Sequence, residues 1–497
     1  MVASGLIGHF QMLALAWLQE VPGEAAWQWP ALVLAILGEA LAVVFVARVL
    51  IRGGSPPSNL LWVVVILAAP WVGLLLYYLF PRRLQMRRLR RRQNRLAWIE
   101  EELDRLRPAE SEVHHGDPLV RLLHRIDGDA VHDGNRVTWL AGGREFFEEA
   151  LRAVANAKDF VHLEVYILRH DEAGRLLLDA LTEAARRGIE VRLLYDSFGS
   201  FGVSGASLAD LVAAGGEVEA FLPLLWRRRP FTLNLRNHRK LLVVDGTHAF
   251  LGGRNIGNEY ATDRLGRTQK WLDAMLHVEG PVVPRLHRVF VEDWYNACGR
   301  DLAQERYFPQ VPPLGRDAVG ALVSGPDRDI HGLWWAIFQV ISGARHAIEI
   351  CSPYLVPPPT MLFALKVAAA RGVRVRIHTN GPEAEAFILY HAQRSYYGEF
   401  LRSGIELFET VSDYNHAKLL VVDGETVVVG SMNLDMRSAH LNFELGAVVL
   451  RSHVAGAAMA MLEDRRRLSR RITLEDLPRS APLRLLDGLC RLASPLL

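Results

Sequence analysis

Cysteine is scarce: Cys298, Cys351 and Cys490 are the only three in 497 residues, far apart and with no CxxC pair. That excludes a disulfide framework and a zinc knuckle, fits a reducing compartment, and leaves three structural thiols. No HExxH motif or Cys/His cluster marks a metal site. A charge excess is lacking too. Fifty-seven Lys and Arg against 55 Asp and Glu leave a formal charge of +2. A general nucleic-acid binder carries a larger basic surplus, so no nucleic-acid partner is expected. Apolar material is plentiful at half of all residues, and at roughly 150 residues per domain the length implies about three units.

The apolar material is concentrated near the start. Leu60 to Phe80 (LLWVVVILAAPWVGLLLYYLF) runs 21 residues without a charge. At about 1.5 Å per helical residue that length crosses a hydrocarbon core of roughly 30 Å, and Pro70 and Gly73 are tolerated in membrane helices. Ala31 to Ala47 is a second run, interrupted by Glu39, which reads as an interfacial carboxylate or an intramembrane site. The Gly53-Gly54-Ser55-Pro56-Pro57 turn between them predicts a transmembrane hairpin over 31–80, after an N-terminal extension 1–30. Met1 to Gln19 is apolar but has no basic region and no cleavage site of the signal-peptide kind. A basic helix and linker (81–130) follow, with eight arginines between Arg82 and Arg95 and no Lys or Arg before Arg48. Such a run holds its end of a span in the cytoplasm and lies against anionic headgroups.

Beyond residue 130 the chain repeats itself, dividing at 131–305 and 306–497. AARRGIEVRLLYD ending at Asp196 matches AAARGVRVRIHTN ending at Asn380: a helix end, a glycine, then a strand. Val161 to Leu168 and Ala347 to Leu355 are apolar strands before each, and glycine-closed helices follow, ahead of Phe221 and Glu409. The predicted class is α/β: two pseudo-two-fold-related α/β sandwich repeats with buried sheets.

The chemistry falls in register. His238-x-Lys240, four residues, Asp245, six residues and Gly252-Gly253-Arg254-Asn255 recur as His416-x-Lys418, Asp423 and Gly430-Ser431-Met432-Asn433. One HxK is weak; the longer pattern at equivalent places in two repeats is specific. Residues i and i+2 of a strand share a face, so each histidine points with its lysine. Two imidazoles and two ammonium groups about one cavity suit a singly charged phosphodiester, with Asn255, Ser431 and Asn433 as neutral donors to its oxygens. One histidine can attack phosphorus while the other protonates the leaving alkoxide and later deprotonates the incoming alcohol, without a metal or other cofactor. Each needs a carboxylate to fix its tautomer, and Asp273 and Glu444 stand at matching places downstream. Asp245 and Asp423 complete the motif as candidate catalytic residues, although each precedes a glycine in an Asp-Gly turn signature, which favours a structural role.

The duplicated motif resembles the phospholipase D superfamily, and nearly the whole chain resembles its bacterial cardiolipin synthase family. LAAPWVGLLLYYLF, EVYILRHDEAGR, YDSFGS, NLRNHRKLLVVDG, GGRNIGNEY, SGPD, SPYLVPP and NHAKLLVVDGETVVVGSMNLDMRSAHLNFE carry the likeness. The resemblance implies a ping-pong transfer of a phosphatidyl group between two phosphatidylglycerol molecules, with release of glycerol. It makes His238 the nucleophile and His416 the acid/base, with Glu259, Tyr260 and Arg437 supporting them. It also implies an enzyme of the bacterial inner membrane, multi-pass, with its catalytic part cytoplasmic. Pro357-Pro358-Pro359, and Arg169 with His170, depart from the family pattern. Hydrolysis, transfer to another alcohol, or a nuclease of the same fold are the alternatives. Leu224 to Phe231 (LLWRRRPF) reads as an interfacial phosphate-binding loop or a plain basic loop. Leu483 to Leu497 reads as an amphipathic membrane contact or a packed terminal helix.

Overall fold

The computed structural model describes residues 25–51, 56–79, 116–127, 131–223, 234–261, 271–328, 331–411, 413–478 and 480–494. The arginine run after Phe80 and the segment Leu224 to Phe231 lie outside the described residues. The chain forms two compact units, Met1–Gln85 and Met86–Leu497.

In the first unit α1 (Ala25–Ile51) is apolar on all sides, with Glu39 exposed. Among the described residues its segment Leu32–Ile51 alone is long and apolar enough to cross a membrane. The second run, expected as one span, is instead two helices, α2 (Pro56–Ala68) and α3 (Pro70–Leu79), folded back on each other. Residues equidistant from the break meet: the Trp62 and Tyr77 rings pack edge to face at 5.2 Å. Gly73 lies so close to Ile66 that a β-carbon on it would come within 2.6 Å of the Ile66 Cα. Pro70 has no N–H to donate and its ring crowds the carbonyl four residues back, so the helix breaks there. At about 1.5 Å per residue these helices are roughly 20 and 15 Å long, short of a bilayer core. The expected hairpin of two spans is therefore one span-length helix and a folded pair.

The second unit carries the repeats. The first contributes β1 (Val131–Leu140), β2 (Phe160–Val165), β3 (Glu190–Asp196), β4 (Glu217–Phe221), β5 (Leu241–Val244), β6 (His248–Gly252) and β7 (Met275–Glu279). The second contributes β8 (Asp317–Ser324), β9 (Ala347–Cys351), β10 (Arg374–Asn380), β11 (Glu406–Thr410), β12 (Leu419–Val422), β13 (Thr426–Gly430) and β14 (Asn442–Leu450). The first runs in the order 1-7-6-5-2-3-4 and the second in the matching order 8-14-13-12-9-10-11. They join edge to edge where β1 pairs antiparallel with β8, giving one continuous sheet with pseudo-two-fold symmetry.

Period-two alternation sorts the side chains. Leu241 and Val243 of β5, with Leu419 and Val421 of β12, enter a core shared by both repeats. The intervening Leu242 and Val244 enter a core belonging to the first repeat, and Leu420 and Val422 one belonging to the second. Helices Val283–Cys298 and Val454–Arg467 cover the shared side, while Gly143–Ala155, Glu172–Arg186, Gly332–Gly343, Pro359–Ala370 and Phe387–Arg402 cover the outer sides. The C-terminal helix Ala481–Arg491 is a packed element. Asp487 is buried against His391 and Arg394, at 2.7 and 2.8 Å, while Leu485 and Leu489 face outward.

Candidate active site

Two very short strands bring the repeats' chemistry together. Arg236–Asn237 pairs in parallel with Asn442–Phe443, and Tyr414–Asn415 with Trp271–Leu272. Each lead-in to an HxK motif thus lies beside the other repeat's chain, just ahead of its carboxylate. The His238 N–H donates to the Phe443 carbonyl (3.0 Å) and the His416 N–H to the Leu272 carbonyl (2.7 Å). The carboxylates consequently cross over. His238 Nδ1 meets Glu444 at 3.0 Å, and His416 Nδ1 meets Asp273 at 2.6 Å. With Nδ1–H donating to a carboxylate, each ring turns its Nε2 lone pair to the cavity that both histidines line.

Burial sets the electrostatics. It pushes His238 down to about 4; Glu444 opposes this, and Lys240 and Lys418 reinforce it. Burial and then Lys418 take His416 down to about 3, against the pull of Asp273. Both imidazoles are therefore neutral near pH 7, the state a nucleophile or base needs. Burial raises the Asp273 and Glu444 carboxyls, but the hydrogen-bonded histidine and the nearby lysine together outweigh it and hold them below the usual carboxylate range. Burial lowers Lys240 well below an ordinary lysine and Lys418 to about 8. Each ammonium donates to the carbonyl of its own motif histidine, at 2.6 and 2.5 Å, and keeps two further protons for an anion.

Asn255 and Asn433 line the cavity; Asn255 is held by Ile167 N–H (3.1 Å) and by donating to the Tyr260 hydroxyl (2.8 Å). Ser431, expected beside the substrate, is instead behind Glu444. Its hydroxyl donates to that carboxylate at 2.5 Å and accepts from Leu445 N–H, so it braces the histidine's partner. Asp245 and Asp423 are not at the cavity either. Asp245 accepts from the backbone of Lys158, Asp159 and Phe160 at 2.9–3.0 Å, and Asp423 from Arg345, His346 and Ala347 at 2.7–2.9 Å. Both adopt positive φ (52° and 55°) in the turns closing β5–β6 and β12–β13. Six residues of chain, roughly 20 Å when extended, separate each from its motif histidine. Their catalytic assignment is corrected to a structural one: they tie that turn to the start of β2 or β9.

The cavity, about 340 Å³, also shows residues that the motifs did not reveal: Tyr166, Arg236, Trp271, Tyr354, Tyr414 and Asp435. Tyr166 packs edge to face on His238 at 4.9 Å, and Trp271 lies 5.5 Å from His416. Tyr166 and Tyr354 each follow a strand, one residue after β2 and three after β9, so they share no register. Tyr260 and Arg437 line the cavity, while Glu259 pairs with Arg169 at 3.3 Å instead. Burial raises Asp435 to about 6. Among the described residues the group able to ligate a metal together is His248, His277 and Glu279, on β6 and β7, and none of them lines the cavity.

A family model described as "Cardiolipin synthase, PLD-like domain" matches residues 150–294 and 337–465, and a "Phospholipase_D-nuclease N-terminal" model matches residues 40–82. The chain is 35% identical over 487 residues to a cardiolipin synthase of Geobacillus kaustophilus, covering 95% of each. It is 32% identical over 474 residues to the major cardiolipin synthase of Bacillus subtilis, covering 92% of this chain and 96% of that one. The crystal structure of a phosphatidylserine synthase of Haemophilus influenzae shares the fold. Its TM-score is 0.58 at 16% identity, over 77% of this chain and 100% of that chain.

Proposed function

The chain belongs to the cardiolipin synthase family of phospholipase-D-like proteins, and on that premise we propose that it makes cardiolipin from two phosphatidylglycerol molecules. The observation that carries this is the pair of neutral, carboxylate-backed histidines facing one cavity with a buried lysine behind each. His238 Nε2 attacks phosphorus of the first lipid, the bond from phosphorus to the glycerol headgroup breaks, and His416 delivers a proton to the departing alkoxide. A hydroxyl of the second lipid's headgroup then gives its proton to His416 and attacks the phosphatidyl–histidine. Cardiolipin leaves and His238 is regenerated. The bound phosphodiester adds negative charge beside these groups, which raises His416 toward its acid role and keeps Lys240 and Lys418 charged. Glu444 and Asp273 stabilise the cationic histidines; Lys240, Lys418, Asn255 and Asn433 hold the phosphoryl oxygens.

The enzyme is membrane-associated through Leu32–Ile51, with its catalytic unit on the side of the arginines between Arg82 and Arg95, the cytoplasmic face. Incubating full-length protein with labelled phosphatidylglycerol in mixed micelles tests the chemistry. Cardiolipin and glycerol in equal amounts, absent with His238→Ala, are expected. Phosphatidic acid in their place would identify a hydrolase.

A further inference from the structure

Beside the catalytic cavity the second repeat has an apolar groove of about 440 Å³. One wall is helix Gly332–Gly343, through Trp334, Trp335 and Phe338; the other includes Met361 of helix Pro359–Ala370. The partition between groove and cavity is the single short helix Met436–His440. Asp435 and Arg437 face the cavity, whereas Ala439 and His440 face the groove. The Trp334 indole donates to the Ser438 carbonyl (3.2 Å), which pins the partition to the groove wall. Trp335 and Phe338 remain 50% and 41% exposed, the kind of open aromatic surface that marks a contact site.

We propose that this groove takes one acyl chain of the phospholipid whose phosphodiester lies between His238 and His416, a proposal that rests on the function given above. No Asp, Glu, Lys or Arg is among the groove's described lining residues, and its walls are mostly helices whose backbone groups are already paired. The polar side chains of its lining are His331, Gln339, Thr360 and His440, few partners for a peptide's row of amides, whereas an acyl chain needs none. Three residues of helix, about 4.5 Å of rise, separate Arg437 from His440, so a lipid with its phosphate in the cavity has the groove within reach of its tails. The volume lies within the roughly 300–1,000 Å³ of small-molecule pockets. A chain lodged there lets the phosphate leave the headgroup plane without exposing the tail to water.

Two measurements on the full-length protein test this. Phosphatidylglycerol with a diazirine at its acyl terminus, photolysed in mixed micelles, is expected to label residues 331–343 and 359–361, with labelling strongly reduced in Phe338→Asp. With monomeric short-chain phosphatidylglycerols, kcat/KM should rise with chain length, by up to about 4-fold per methylene entering the groove. Phe338→Asp should flatten that rise; Trp335→Ser is the alternative variant if Phe338→Asp does not fold. Labels confined elsewhere, or an unchanged chain-length ratio in a folded variant, would overturn the proposal. So would weakened vesicle binding with the ratio intact, which would make the surface a membrane-docking face. Labelling needs no turnover. A labelled groove without phosphatidyl transfer would therefore defeat the proposed function, and transfer without a labelled groove would defeat this inference.

Discussion

Replacing Asp423 should cost stability and spare the chemistry, although the residue belongs to the motif that carries the catalytic groups. Its carboxylate accepts three backbone N–H bonds at 2.7–2.9 Å, two of them from exposed donors. Water can replace partners at the exposed positions, so each bond contributes about 0.5–1 kcal/mol net, some 1.5–3 kcal/mol together. At φ 55° alanine adds about 1 kcal/mol of left-handed strain that glycine avoids. Asp423→Ala should therefore lose about 2.5–4 kcal/mol and Asp423→Gly about 1.5–3 kcal/mol. Asp423→Asn should lose less, because an amide oxygen still accepts and asparagine tolerates the turn. In a unit this large that is a Tm fall of roughly 3–5 °C for alanine. Burial alone would raise the Asp423 carboxyl, but the backbone bonds outweigh it and hold it below 3.8. Its stabilisation is accordingly complete above that pH and lost as pH falls through the lowered value. Thermal melts and initial rates at 20 °C, repeated for Asp245, check this. A hundredfold loss of kcat in a folded Asp423→Asn would refute the reasoning.

Three other expectations follow from the geometry. The acid limb of kcat/KM should fall near pH 4, where His238 gains a proton and stops being a nucleophile. An acid limb at pH 6.5 would contradict the burial argument. Glu444→Gln keeps an acceptor for His238 but removes the charge behind it, and should lower kcat by on the order of 10²–10⁴ with little change in Tm. In the first unit, the double variant Trp62→Cys, Tyr77→Cys should be linked by a short bifunctional thiol reagent, since the native rings pack 5.2 Å apart. Gly73→Leu should suppress that link, because its side chain would run into the Ile66 backbone.

Much of this was legible in the chain, and the failures have physical causes. Duplication exposed the site because two copies of one spacing leave the same residues in register, and the downstream carboxylates stood out by their similar, though unequal, places after each motif. The crossing of Glu444 to His238 and Asp273 to His416 depends on parallel pairings only two residues long, too short to leave a periodicity. Ser431 was misread because spacing gives a residue's place along the chain but not which side of Glu444 it occupies. The run from Leu60 to Phe80 has the composition of a span, yet composition measures apolar length and not path, and Pro70 turns the helix back. Tyr166 and Tyr354 line the cavity at different offsets after β2 and β9, one and three residues on, and so left no in-register signal.

The most direct test of one active site shared by two repeats is to trap the covalent intermediate. Full-length enzyme is mixed with phosphatidylglycerol labelled in its phosphate, quenched in alkali, where phosphohistidine survives, and mapped by peptide. Label on His238 is expected, with none when His238 is replaced by glutamine and little when Glu444, from the opposite repeat, is. Label on His416, or steady cardiolipin formation with no labelled histidine, would contradict the account.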